Sequence, residues 1–322
     1  MIPMGWMLPF AITTGNTFVL KAASMVPQTS MRMLELLIEA GLPKGVANLV
    51  TCSRVEADSL LVHPDVRGIT FVGSTAVGKH IYATAAGAGK RVQALTEAKN
   101  HALVLEDAVL ERSVAGIVNS TFGCAGQRCM ALPVVCAQDS IADELVEMLA
   151  AKAAELKLGP AYLPGSQLGP VITGVHRDRV ERIIQSALDE GATLATGGQR
   201  PELDTGYYVA PTLVVDATNQ MTIAREEVFG PVITVIPFDT EDEAIEISND
   251  SPYGLYDYVF SGDTGRAMAV AKLLRAGNVG INTLQRNHEA AFGGFKYSGV
   301  GRDGGSWGLH AYSEMQSIMW KG

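Results

Sequence analysis

Cysteine is scarce in this chain, with four in 322 residues: Cys52, Cys124, Cys129 and Cys136. None forms a CxxC pair and no histidine stands at ligand spacing from them, which argues against a zinc site and predicts no metal. So few cysteines also exclude a disulfide-stapled scaffold and point to a reducing compartment, the cytoplasm or an organelle matrix. Charge is sparse too, at 18% of residues, and lopsided: 25 Lys and Arg against 34 Asp and Glu, for a net charge of −9 with no basic cluster. That balance argues against nucleic acid and anionic membrane surfaces as partners. No hydrophobic run is long enough to span a membrane. The apolar opening, residues 1–12 (MIPMGWMLPFAI), lacks a basic flank and is cut short by Gly15-Asn16, so it reads as neither a span nor a signal peptide. It reads instead as an apolar segment whose natural beginning is missing.

What the chain does have is glycine, 34 residues of it, and a 47% hydrophobic share, enough for two domains with cores. Apolar periodicity predicts strands at 17–21, 46–50 and 68–72, alternating with helices at 28–40, 54–62 and 75–86, with Ser53 as N-cap of the second helix. A second unit opens near Val92. Its expected strands are 102–105, 132–137, 207–215, 232–237 and 279–282. Its helices are 107–123 (Val109, Ile117 and Val118 inward), 141–157, 177–190, 241–249 and 264–276. A loop at 159–168 is rich in Gly and Pro, another at 293–305 holds six glycines, and 313–320 alternates like a strand. Strand and helix alternating at these lengths predict an α/β fold with a parallel sheet covered on both faces.

The stretch that draws attention is 122–130, FGCAGQRCM. A thiol acts as a nucleophile only as thiolate, and a permanent cation beside it, here Arg128 next to Cys129, favours that form. The small Gly123, Ala125 and Gly126 would leave room for a substrate carbonyl. Taken alone, the nonapeptide reads rather as a small buried hydrophobe, which a free cysteine usually is. Residues 71–79, FVGSTAVGK, read as strand, turn and helix start, an anion site or an ordinary capped turn. Lys21 ends a strand, and Glu226-Glu227 precedes an aromatic and a turn, in Phe229-Gly230-Pro231; a carboxylate there can hold a ribose diol or simply sit at a helix end. A cysteine hydrolase would need a histidine near Cys129, and His101 and His176 are available, but at no supporting spacing.

Taken in order, Asn16-Thr17 with Lys21, FVGSTAVG (71–78), GQRC (126–129), EEVFGP (226–231), NDSPYG (249–254), GNVGIN (277–282) and FGGFKYSGVG (292–301) form a series. That series resembles the NAD(P)-dependent aldehyde dehydrogenase superfamily across essentially the whole chain. The resemblance implies an incomplete Rossmann-type cofactor domain plus an α/β catalytic domain. On that reading residues 1–94 are the C-terminal part of the NAD-binding domain, 95–297 the catalytic domain, and 298–322 a return segment with an oligomerisation strand. It implies that Cys129 attacks an aldehyde carbon, giving a thiohemiacetal that passes hydride to NAD or NADP and becomes a thioester. Lys21 would touch the adenosine ribose and Gly73-Ser74 the pyrophosphate. Glu227, with Phe229 beside it, would hold the nicotinamide ribose. The backbone N–H of Cys129 would be half of an oxyanion hole. A homo-oligomer and a small-molecule aldehyde substrate are implied as well.

Three departures from the family pattern shape the expectation. The family's Pro-Trp-Asn-Phe segment, whose Asn supplies the other oxyanion donor, would lie just before Met1, so a non-catalytic NAD-binding chain is the alternative. The general-base Glu that precedes Leu-Gly-Gly is replaced in Ala94-Leu95-Thr96-Glu97-Ala98-Lys99-Asn100-His101, with Ala94 at the Glu position. Glu97 is then either a displaced base or a polar residue at a strand turn. Ser24 stands where many members grip the adenosine ribose with Glu. Arg91–Leu103 together with Arg128-Cys129-Met130 is similar to the methylmalonate-semialdehyde dehydrogenase branch. There the thioester goes to coenzyme A, and an Arg beside the nucleophile is associated with a substrate carboxylate.

Overall fold

Aliphatic and β-branched runs, punctuated by glycine and helix caps, set the elements. The structure, a computed structural model, describes residues 3–203, 205–284 and 287–322, so Met1 and Ile2 of the apolar opening lie outside the described residues. Contacts divide the chain into two units: Met1–Thr96 with Arg286–Gly294 and Ser298–Gly322, and Glu97–Gln285 with Phe295–Tyr297.

The first unit opens with a π-helical turn, Pro3–Met7, that runs into α1 (Leu8–Thr13). Then come β1 (Phe18–Lys21), α2 (Pro27–Glu39), β2 (Ala47–Val50), α3 (Arg54–Val62), β3 (Gly68–Val72), α4 (Thr75–Gly87) and β4 (Arg91–Leu95). Ser53 caps α3 as expected. Its Oγ accepts the Glu56 N–H at 3.2 Å while the Glu56 carboxylate accepts the Ser53 N–H at 2.7 Å. That reciprocal pair satisfies two orphan amides and contributes about 1 kcal/mol. β1 pairs in parallel with β2, and β3 in parallel with β4, leaving two separate sheet pieces. Met4, Leu8, Leu20 and Leu34 form one core under the first piece. A cleft of about 1680 Å³ is lined by residues of both β1 and β3.

The second unit holds β5 (His101–Val104), α5 (Leu110–Phe122), β6 (Val134–Gln138), α6 (Asp139–Ala154), α7 (Gly174–Asp189), β7 (Thr193–Thr196) and β8 (Thr212–Val215). It continues with α8 (Thr222–Arg225), β9 (Val232–Phe238), α9 (Glu241–Asn249), β10 (Tyr253–Gly254), β11 (Tyr256–Phe260), α10 (Thr264–Ala271), β12 (Asn278–Ile281) and β13 (Phe295–Lys296). Its seven-stranded sheet runs β12-β11-β5-β6-β9-β8-β7, parallel throughout except for β7, which pairs antiparallel with β8 at the edge. β5 and β11 are buried at every position, as strands covered by helices on both faces must be. The chain returns to the first unit through β14 (Gly299–Val300), antiparallel to β4, and α11 (Gly305–His310).

Several expectations need correction. Residues 313–320 are not a strand: they pair with no strand among the described residues, and Met315, Met319 and Trp320 are exposed. Alternation supplies one face, but a strand also needs a partner ladder, and a single chain offers this segment none. The strand expected at 207–215 begins only at Thr212, because Pro211 has no N–H for a ladder. Val109 is exposed, since α5 starts one residue later and leaves it at the N-cap. The helix expected to reach residue 276 ends at Ala271. β4, β7 and β11 were not expected, nor were α1 and α11; in β11 (YDYVF) a buried aspartate, Asp257, interrupts the apolar run. Among the described residues no helix is long and apolar enough to cross a membrane.

Candidate active site

The loop carrying Cys129 begins where α5 stops. Cys124, Ala125 and Gly126 take φ values of +53°, +54° and +70°, three left-handed residues in succession, two of them with side chains. Such backbone costs about 1–2 kcal/mol per non-glycine residue and persists where the surroundings dictate it. Here they do, because a Cβ on Gly126 would lie 2.0 Å from the Gly230 carbonyl oxygen, and one on Gly123 would lie 2.0 Å from the Arg128 guanidinium. The small residues therefore let the chain close on itself, rather than leaving room for a substrate carbonyl as expected.

Cys129 follows in a turn, partly buried, with the Ala131 N–H bonded to the Arg128 carbonyl at 2.9 Å. Side chains hold the carbonyls of this stretch. Asn100 Nδ2 donates to those of Cys129 (2.8 Å) and Ala131 (2.7 Å). Tyr258 Oη (3.0 Å) and Ser120 Oγ (3.3 Å) donate to that of Met130, and Thr121 Oγ1 donates to that of Leu132. Arg128, read from the sequence as a cation for the thiol, instead turns its Nη2 to the Asn119 (2.6 Å) and Ser120 (2.9 Å) carbonyls at the end of α5. Its Nε and Nη1 meet no acceptor among the described residues.

The carboxylate loop, Glu226 to Gly230, touches the cysteine loop at Gly126, and α7 holds it in place. Arg179 Nη1 donates to the carbonyls of Glu227 (2.9 Å) and Val228 (3.1 Å), and His176 Nε2 bonds the Phe229 carbonyl at 2.7 Å. Phe229 itself is left-handed at φ +54°. The Gln127 amide oxygen accepts the Ile172 N–H at 3.0 Å, tying the cysteine loop to the start of the same helix. The Glu227 carboxyl accepts the Ala98 N–H at 3.0 Å. Burial pushes the Glu227 carboxyl up to about 7; the Ala98 bond opposes that shift and nearby Glu97 adds to it. Lys99, fully buried, is pushed down to about 7 by desolvation, against the pull of Glu227, and its Nζ meets no acceptor among the described residues. Glu97 lies partly buried, its carboxylate 3.5 Å from the Tyr253 hydroxyl.

Neither histidine considered as a base is available. His176 is committed to Phe229, and burial drives the His101 imidazole down to about 3, leaving it neutral.

In the first unit Lys21 closes β1, its Nζ 3.5 Å from Ser24 Oγ, and lines the cleft. Gly73 follows β3, where a Cβ would strike the Phe71 ring at 2.5 Å. Its N–H donates to the Leu95 carbonyl at 3.2 Å. Ser74 occupies the N-cap of α4, and its side chain makes no cap bond. Sequence reasoning missed Lys99, Asn100 and Arg179. The first two lie inside a motif read only as a resemblance, and Arg179 carried no signal beyond its place on a helix.

The profile described as the aldehyde dehydrogenase family matches residues 1–318. Malonate-semialdehyde dehydrogenase 2 of Geobacillus kaustophilus is 45% identical over 284 residues, covering 88% of this chain and 58% of that protein. Betaine aldehyde dehydrogenase of Bacillus subtilis is 38% identical over 323 residues, covering 99% and 66%. The crystal structure of a Mycobacterium tuberculosis aldehyde dehydrogenase complexed with NAD+ superposes with a TM-score of 0.94 at 37% identity, covering 98% of this chain and 66% of that one. The chain thus spans roughly three-fifths of the length of the first curated relatives it matches.

Proposed function

The chain belongs to the aldehyde dehydrogenase family, and on that basis we propose that it oxidises an aldehyde through Cys129, with NAD or NADP as hydride acceptor. The carrying observation is the arrangement in the second unit: a cysteine in a turn whose carbonyls are gripped by side chains, on a loop in main-chain contact with one bearing a half-buried carboxylate.

The residues fit a nicotinamide dinucleotide. The Glu227 carboxyl carries one backbone bond among the described residues, so it keeps acceptor capacity for a ribose diol, and the Ser74 hydroxyl and first-turn amides of α4 suit a diphosphate. Lys21 would meet the adenosine ribose, and Phe229 would flank the nicotinamide ribose. The cofactor, when bound, supplies the hydride acceptor.

The protein's own part starts at sulfur. The Cys129 thiolate adds to the aldehyde carbon to form a thiohemiacetal, its N–H among the donors to the new oxyanion, and loss of hydride leaves a thioester. To Glu97 we assign the role of taking a proton, as the displaced counterpart of the base that Ala94 replaces. Release of the acyl group to coenzyme A, with the CoA thiol replacing Cys129 on the carbonyl, is supported by Ala94 at the usual base position. A malonate- or methylmalonate-type semialdehyde is the substrate class favoured by Arg128, whose Nε and Nη1 are open to a carboxylate. We place the protein in the cytoplasm, on its sparse thiols, and as a homo-oligomer, on its family.

The test is purified chain with NAD or NADP and a panel of plain and carboxylate-bearing aldehydes, with and without CoA, read by nicotinamide absorbance. Turnover that Cys129→Ala lowers by about 10³-fold or more is expected. No turnover with any pair, or an unaffected variant, rejects the proposal.

A further inference from the structure

Asn100 is 2% exposed and commits its whole amide to backbone groups. Its two N–H donors go to the carbonyls of Cys129 (2.8 Å) and Ala131 (2.7 Å), and its oxygen accepts the Tyr256 N–H at the head of β11 (3.1 Å). Only a carboxamide offers two donors and an acceptor on one rigid plane. Aspartate at neutral pH has no donor at all. The stretch it grips, residues 129–132, lies outside any helix or strand, and side chains hold all four of its carbonyls. Asn100 holds two of them, including that of the nucleophile. Two residues upstream, the Ala98 N–H holds the Glu227 carboxylate at 3.0 Å. Residues 98–100 therefore grip both loops of the site from one short segment that leads into β5.

We propose that Asn100 is a positioning residue for Cys129, and that its amide, acting from outside the reacting atoms, fixes where the sulfur sits. This rests on reading Cys129 as the nucleophile. Geometry is the warrant: in a reaction that depends on near-attack placement, a displacement of about 1 Å can cost about 100-fold in rate. Releasing two adjacent carbonyls from a segment with no ladder of its own permits such a displacement.

Asn100→Ala and Asn100→Asp, made in the full chain, test this. Both should lower kcat by about 10–100-fold at neutral pH, while KM for the dinucleotide stays within about twofold, because Glu227 and its Ala98 bond are untouched. Hydrogen exchange in the peptide spanning 124–133 should quicken at least about tenfold, with the other strands of the second unit unchanged. In Asn100→Asp, activity relative to the parent at the same pH should recover as pH falls, since only a protonated carboxyl can donate to a carbonyl. Asn100→Ala should show no recovery, and this pH difference is one that a purely structural role would not produce. If the alanine variant does not fold, the aspartate variant at low pH carries the test. Absence of dehydrogenase activity in the parent rejects the proposed function, yet the exchange measurement still decides whether Asn100 holds the loop. Folded variants with unchanged kcat, or with unchanged exchange at 124–133, overturn the proposal.

Discussion

Replacing Gly126 by alanine is the sharpest perturbation of the loop that bears Cys129. Its φ of +70° costs an L-residue about 1–2 kcal/mol. The added methyl would also stand 2.0 Å from the Gly230 oxygen, 2.4 Å from the Gly230 carbonyl carbon and 3.0 Å from the Pro231 nitrogen, where ordinary contact begins at 3.4 Å. All three atoms are main chain, so relief requires a backbone shift, worth about a further 1–3 kcal/mol. The sum is about 2–5 kcal/mol. At about 2–4 °C per kcal/mol, thermal unfolding should fall by roughly 4–20 °C. Gly87→Ala supplies the comparison. It sits at the end of α4 with nothing within 4 Å of a new methyl and no left-handed φ, so it should be neutral or stabilising by about 0.5–1 kcal/mol. Parallel melts and urea titrations of the two variants decide the matter. If Gly126→Ala melts within a degree or two of Gly87→Ala, the close approach of the two loops is wrong.

Two further predictions concern charge. Because the Glu227 carboxyl is raised to about 7, it is ionised, and able to accept both ribose hydroxyls, only above that pH. Dinucleotide affinity measured by calorimetry should therefore climb as pH rises through about 7. Glu227→Gln should flatten the profile, and Lys99→Met, which removes a cation favouring the carboxylate, should move the midpoint upward; a flat profile in the parent protein would contradict the assignment. Arg128→Leu should raise KM for carboxylate-bearing aldehydes by about 10–100-fold and leave plain aliphatic aldehydes nearly unchanged. Equal losses on both substrates would mean that the guanidinium serves only the end of α5.

The alternation of helix and strand was legible wherever one physical signal dominated a segment. Ser53 marked the start of α3 because an N-cap is a purely local device. β11 was not legible, because its buried Asp257 is satisfied by the His101 N–H, 156 residues away, and by the Ser248 hydroxyl, bonds that no local pattern announces. The same distinction governs the site. Cys129, Glu227 and Phe229 could be placed from motifs that resemble a family. The hands that hold them could not: Asn100, His176 and Arg179 act on main-chain carbonyls 29 to 53 residues away along the chain, and no residue pattern announces a bond to a distant carbonyl. Arg128 is the converse case. Its adjacency to Cys129 was visible in the sequence, whereas its Nη2 bonds to the Asn119 and Ser120 carbonyls were not.

Where Gly126 meets Gly230, polypeptide rests directly on polypeptide, with no side chain between as a spacer. Side chains flanking that contact can be exchanged one by one while the gauge between the two loops stays constant, because the spacing is set by a seam of main chain that tolerates no methyl group.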